Sequence, residues 1–400
     1  MKHSQANTHY VPLYFLSSVG AGGLAVTFFM YLMFWVPHSG RPVPIFEDIA
    51  AAWSTGTIPM QAAIAVAMIG IGVFVFLNLK SLIWNLGQYA AFKKTERYTA
   101  LRNSNGESTL LAMPLALAMS VNGLFIAGLV FVPRLWTVVE YLFPVAMIAF
   151  ALIAWNALST IGDFLGRVLS KGGLFDVTAH NSFAQLLPAF ALAMAGVGMA
   201  APAAMSQTSW IVGVSLVGST FLAVAALIYA LVALVTAFNS MLHYGTAEEA
   251  GPTLMIIIPL VTILSILFMR QDHGLHIFEG HTTTADTLMF LARMVSIQFV
   301  FLGLGLTVLK RQGYFKDFVL GSKKSPGSYA LVCPGVALSV LLQFFVNKGL
   351  VGAGVIDKYS VIYWIITAAA IGFQFAMVAL VVRLNGQHFG VLPAAAVPAE

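Results

Sequence analysis

Few side chains in this 400-residue chain can do chemistry. Cys333, the single cysteine, stands directly before Pro334 in the string YALVCPG. A thiol at a helix start faces unpaired backbone N–H groups that make it more acidic, so Cys333 is a candidate redox nucleophile; an inert buried thiol is the competing reading. One cysteine excludes a disulfide within the chain, an iron–sulfur cluster held by this chain alone and a cysteine-based zinc site. A second group lies in the stretch 270–281, which holds Arg270, Asp272, His273, His276, Glu279 and His281. His273, His276 and His281 are weak candidate metal ligands, set against the reading as a solvated or pore-mouth loop. No metal or other cofactor is expected. Arg293 is a formal charge inside an apolar run and needs a partner such as Asp286, or a polar cavity. Asn122, Gln185 and Gln343 also sit in apolar runs, where an amide can bind an oxyanion or join two helices. Asp163 and Arg167 have the spacing of a helical ion pair. The chain has no phosphate-binding G-x-x-x-x-G-K-[ST] loop and so does not hydrolyse ATP itself. Its histidines lie in loops or near helix ends, which disfavours a bis-histidine haem.

The elements that carry these residues follow from composition. With 59% hydrophobic and 9% charged residues, against roughly 25% charged in a soluble domain, a soluble globular protein is ruled out. The fold class is all-α polytopic membrane protein. Apolar runs long enough to cross the hydrocarbon core as helices occur at about 11–36, 58–80, 109–132, 136–160, 183–204, 209–240, 253–270, 285–309, 328–346 and 358–382. Ten crossings put both termini on one side. The connections on that side carry fourteen Lys and Arg and those on the other five, with Arg293 inside a span. The positive-inside bias therefore makes both termini cytoplasmic, and the expected location is a prokaryotic inner membrane. The net charge of +5 is spread over short loops and implies no nucleic-acid partner. The bilayer and a small anion are the expected partners.

Prolines show an internal repeat. Each odd-numbered span has one near its start: Pro12, Pro114, Pro188, Pro259 and Pro334. Six residues before the last four stand Ser108, Ser182, Thr253 and Ser328, hydroxyl residues of the kind that cap helix N-termini. The chain thus reads as one transmembrane domain, 1–400, of five tandem hairpins at about 7–92, 108–170, 182–242, 253–311 and 328–385. A proline inside a helix frees a carbonyl that lipid cannot satisfy, so the odd helices are expected to be kinked around a central axis with the even helices as an outer ring. Five helix N-termini on the cytoplasmic side favour anions. An anion from the cytosol is expected to meet that funnel first, then a neutral interior lined by Gly20, Gly22, Gly23, Ala195, Gly196, Gly198, Gly335 and Ala337.

Ten spans, five hairpins, proline-marked odd helices and cytoplasmic termini resemble the tellurite-resistance and dicarboxylate transporter family, which includes plant slow anion channels and a yeast sulfite pump. Within it, the opening THYVPLYFLSSVGAGGLAVTFFMYLMFWVP and the YALVCPG start of the ninth span resemble the TsoY group, some of whose members resemble selenoproteins. The resemblance implies a pore lined by the five odd helices, a trimer, and occlusion by a phenylalanine of the ninth helix, for which Phe344 and Phe345 are the candidates. Both lie well past Pro334, towards the far end of that helix. The leading functional expectation is a channel or secondary transporter for small anions, sulfur, selenium or tellurium oxyanions or carboxylates. The alternatives are a membrane thiol-redox protein using Cys333 and a membrane anchor for a redox complex.

Overall fold

A computed structural model describes residues 10–172, 176, 178, 179, 181–278, 280 and 282–389. Its ten long apolar helices are α1 (Pro12–Trp35), α2 (Ile58–Phe92), α3 (Asn105–Phe131), α4 (Leu135–Ser170), α5 (Phe183–Met205), α6 (Ser209–Tyr244), α7 (Glu248–Phe278), α8 (Thr284–Arg311), α9 (Pro326–Val351) and α10 (Val361–Phe389). The protein is an all-α polytopic membrane protein. The odd helices are at least 56% buried along their most apolar stretch and the even ones at most 39%. That difference separates an inner from an outer set. Each inner helix packs on the next, α1 on α3, α3 on α5, α5 on α7 and α7 on α9, and α9 returns to α1. The five close a ring.

Side-chain size explains the division. Inner helices approach closely where a residue has no room for a side chain. A Cβ on Gly20 of α1 would lie 2.9 Å from Val332 of α9, and one on Gly196 of α5 would lie 2.9 Å from Leu267 of α7. Outer helices present large apolar groups such as Phe76, Leu152, Val217 and Ile365 to the surrounding lipid. The termini share one face, here the terminal face. There the Tyr14 hydroxyl at the start of α1 shares a hydrogen bond of 3.1 Å with His388 Nδ1 at the end of α10.

Each inner helix opens with a tighter 3-10 segment: Pro12–Tyr14, Asn105–Leu111, Phe183–Leu186, Glu248–Met255 and Pro326–Leu331. Pro114, Pro188, Pro259 and Pro334 follow just after the change to α-helix. A proline there cannot donate the bond that continues the ladder, which suits a point where the hydrogen-bond pattern is already changing. Pro12 differs from the other four, because it begins its 3-10 turn instead of following it. In α1 the corresponding place is near Ser17, whose hydroxyl donates to the Tyr14 carbonyl at 2.7 Å.

The expected ring of hydroxyl caps is corrected in three of four places. Ser182 does cap, accepting from Ala184 N. Ser108, Thr253 and Ser328 sit inside the 3-10 segments, because the helices start earlier than the apolar runs do. The caps there are Ser104, accepting from Gly106 N, and Ser325, accepting from Gly327 N. Ser108 and Thr253 instead donate back to the Asn105 and Ala250 carbonyls, and Ser328 bonds the buried Tyr314 hydroxyl.

Candidate functional site

The five inner helices, together with Leu135, Leu142 and Phe150 of the outer helix α4, bound a cavity of about 730 Å³, within the size range of small-molecule sites. Its floor is made by Gly20 of α1, Met119 of α3, Phe190 of α5, Pro259 of α7 and Cys333 of α9. From there it widens away from the terminal face. The rim at the opposite, distal face includes Asp272 and Thr282, both exposed. Below the floor, Leu16, Leu115, Leu187, Ile256 and Tyr329, one from each inner helix, belong to a single buried apolar cluster. Tyr10, Tyr14, Trp84, Phe389 and His388 stack over this closed end. The cavity is open to the distal face and shut to the terminal one.

This reverses the expected entry. The N-terminal ring lies on the closed side, where Ser104, Ser182 and Ser325 each accept from one backbone N–H and carboxylates already stand in the first turns, Glu107 in α3 and Glu248 and Glu249 in α7. The basic side chains that line the cavity are at its distal end: Arg270, His273 and His276 of α7 and Lys348 of α9. Arg270 Nη1 donates to the Val197 carbonyl at 2.6 Å. Among the described residues neither Arg270 nor Lys348 has a carboxylate within ion-pair distance. Lys348 is carried by a π-helical turn, Phe345–Val351, that ends α9. The rings of His273 and His276 meet edge-to-face at 5.5 Å. His281 lies outside the described residues, and no group of three metal-ligating side chains forms among those described.

The other candidates scatter. Asn122 lines the cavity, its amide donating to the Ala118 carbonyl and lying 3.8 Å from Met194 Sδ. Gln185 and Gln343 are buried but absent from the lining; Gln343 accepts from Asn347 Nδ2 through its carbonyl and side-chain oxygens. Phe344 lines the cavity near its distal end and packs edge-on against Phe34 with centroids 5.2 Å apart, whereas Phe345 points into a separate apolar cluster with Leu291 and Leu341. Of the small residues, Gly20, Gly23, Gly198 and Ala337 line the space. Gly22, Gly196 and Gly335 are occupied by packing on Met119, Leu267 and Met377. Ala195 is buried outside the lining.

Arg293 is corrected. It is exposed on the outer helix α8, and Asp286 is engaged with Thr283 in capping that helix. Among the described residues Arg293 has no ion pair, and it does not reach the cavity. Cys333 also differs from expectation, because the 3-10 segment Pro326–Leu331 precedes it and puts the unpaired N–H groups at least one turn away. Around it the floor is apolar. Asp163 and Arg167 do pair, inside a larger network with Arg102 and the buried Glu107.

Total loop charge does not single out Arg270 or Lys348 as groups that reach a cavity. Helical spacing could have found one. Arg270 is 11 residues after Pro259, about three turns at 3.6 residues per turn, so both project from the same side of α7. Comparison with protein-family models and with curated proteins gives no match, so the function is argued from these residues alone.

Proposed function

We propose that the chain is a membrane transport protein for an anion, held here with its binding cavity open to the distal face and closed to the terminal face. The observation that carries this reading is the cavity itself, bounded by all five inner helices and bearing Arg270 and Lys348 without carboxylate partners among the described residues. Arg270 is only partly exposed, and a cation taken from water with no protein anion to neutralise it is costly, which an anion that comes and goes explains best; Lys348, exposed at the mouth, adds attraction for the same charge. With the termini cytoplasmic, as the Lys and Arg bias favours, the open side is the outside of an inner membrane. The resemblance to the tellurite-resistance and dicarboxylate transporter family, trimeric assembly included, agrees with this reading and rests on the proline and hairpin pattern.

The test is anion flux through full-length protein in liposomes, followed across a panel of monovalent carboxylates and small oxyanions. Arg270→Gln and Lys348→Gln should each weaken substrate binding. A hydrogen bond to a charged group is worth about 1.5–3 kcal/mol, so the loss should be roughly tenfold to a hundredfold in affinity. Cation-selective flux, or flux unchanged in both variants, defeats the proposal.

A second reading keeps one observation in its favour: Cys333 lines the cavity floor. The residues beside it there, Gly20, Met119, Phe190 and Pro259, offer no base and no cation to support a thiolate. Cys333→Ser should therefore leave flux within about twofold of wild type, since swapping a small buried group for one of similar volume costs little. Abolished flux would instead favour thiol chemistry.

A further inference from the structure

What kind of anion the cavity takes depends on the groups that line it at each depth. Cations reach it only at the distal end. Deeper in, the polar side chains that line it are Asn122, Thr262 and Cys333. The first two are already engaged with protein. Asn122 donates to the Ala118 carbonyl, while Thr262 donates to Ile258 and Ala337 carbonyls and accepts from Gln298 Nε2. A bare inorganic anion moving into this space would lose its hydration shell and find few free donors to replace it. An alkyl chain would lose nothing and would remove apolar surface from water.

The shape of the cavity gives a second, independent observation. Its lining includes Leu124 of α3 and Leu142 and Val145 of α4, which are 51%, 38% and 63% exposed, and α4 belongs to the outer set of helices. The cavity thus reaches the lipid-facing side between α3 and α4. The local sequence explains why these helices part there. Glu140, just after the 3-10 segment Leu135–Val138 that opens α4, accepts from Ser206 Oγ, Gln207 N and Thr208 Oγ1, which ties this end of α4 to the connection after α5. Pro144 then stands inside α4 beside Val145, where a proline weakens the helix ladder and bends it.

We infer that the substrate is a single-chain anionic amphiphile, its head at Arg270 and Lys348 and its apolar body in the deeper cavity, admitted from the bilayer through the opening between α3 and α4. The inference rests on the anion-transport reading and narrows it. Such a ligand matches both ends of the site: a carboxylate or sulfonate satisfies the unpaired cations, and a chain of methylenes fills walls formed by Val26, Phe29, Phe125, Met194 and Ile266. It also accounts for a side opening that a water-borne ion does not need.

The experiment is equilibrium binding to the full chain in nanodiscs of zwitterionic lipid, with decanoate, decyl sulfonate, decanol, acetate and sulfate as probes and empty nanodiscs subtracted for partitioning. Decanoate and decyl sulfonate should bind at least tenfold more tightly than decanol, acetate or sulfate. Lys348→Gln should weaken decanoate at least tenfold, and because that side chain makes no hydrogen bond to another described residue, it serves where Arg270→Gln proves unstable. Leu124→Trp with Val145→Trp should slow decanoate association at least fivefold while leaving the binding of acetate unchanged. Acetate or sulfate binding as tightly as decanoate overturns the amphiphile while leaving anion transport in place. Decanol binding as tightly as decanoate overturns the head-group assignment. An unchanged association rate in the tryptophan variant overturns the lateral route.

Discussion

Glu107 offers the sharpest test of how the inner and outer helices are held together at the closed end. It is 1% exposed in the first turn of α3 and accepts from Arg102 Nε at 3.2 Å and from Arg167 of α4. Both guanidiniums also contact Asp163, which is 48% exposed. Arg167 further donates to the Arg102 carbonyl at 2.8 Å. Glu107→Gln keeps the side chain's shape and removes its buried negative charge. Breaking a buried pair costs about 3–5 kcal/mol when the partner charge is left stranded. Here the arginines keep water on one side, at 36% and 23% side-chain exposure, and keep Asp163. The expected loss is therefore smaller, about 2 kcal/mol, while Asp163→Asn should cost less than about 1 kcal/mol as a solvated pair. The assay is reversible unfolding of the full chain in mixed micelles, followed by the fluorescence of its seven tryptophans. Repeating it at 1 M salt, where the screening length is about 3 Å, should erase most of the Asp163 effect and little of the Glu107 effect. Equal losses for the two variants, or equal screening by salt, would refute the idea that burial sets the difference.

Three further outcomes are expected from local geometry. Gly198→Ala places a methyl about 2.1 Å from the Phe150 ring, whereas a Cβ on Gly162 meets nothing within 4 Å; the first should cost about 1–3 kcal/mol and the second should stabilise by up to about 1 kcal/mol in the same unfolding assay. Lys323 Nζ donates to Asp317 at 2.7 Å and holds its carboxyl below the usual carboxylate range, so the pair's contribution is present at neutral pH and is lost as pH falls through the folded value; Asp317→Asn should matter only at low salt and should cease to matter in acid. Lys358 Nζ donates to the Phe34 carbonyl at 2.8 Å, capping the end of α1, and burial lowers its pKa below 10.5. Stability should accordingly rise as pH increases through the folded value toward 10.5, and Lys358→Met should flatten that rise and cost about 1 kcal/mol, the worth of an ordinary hydrogen bond.

Helix number and the division into inner and outer sets were legible because both follow from what lipid and close packing demand of a side chain. Ten apolar runs are a length criterion, and a proline deep in an apolar run must be shielded from lipid. Helix starts were less legible. Asn105, Glu248 and Pro326 begin their helices before the apolar runs do, because each lead-in is a 3-10 segment with polar residues that are buried all the same: Glu107 by its ion pair with Arg167, and Thr253 with its hydroxyl turned back on the Ala250 carbonyl. The proline at position 12 looked like a fifth member of a repeat. Position 17, where a serine bonds the carbonyl three residues back, is closer to the structural equivalent, and no proline count can show that two different residues occupy one role.

The side on which the cavity opens was not legible, for a physical reason. Arg270 and Lys348 count as two of only five basic residues on their side, so a rule that weighs total loop charge points to the opposite face. Binding depends on something else, namely how few compensating charges lie within reach. On the terminal face Arg102 and Arg167 are matched by Glu107 and Asp163, and Lys323 by Asp317 and Glu248, and the other basic residues there, such as Lys80, Lys310 and Arg383, do not line the cavity. On the distal face Arg41 is matched by Asp48, and among the described residues Arg270 and Lys348 are left without a carboxylate while the helices around them widen. An excess of charge sets which way a chain is inserted; an unmatched charge at the edge of an apolar space sets where an anion would stop.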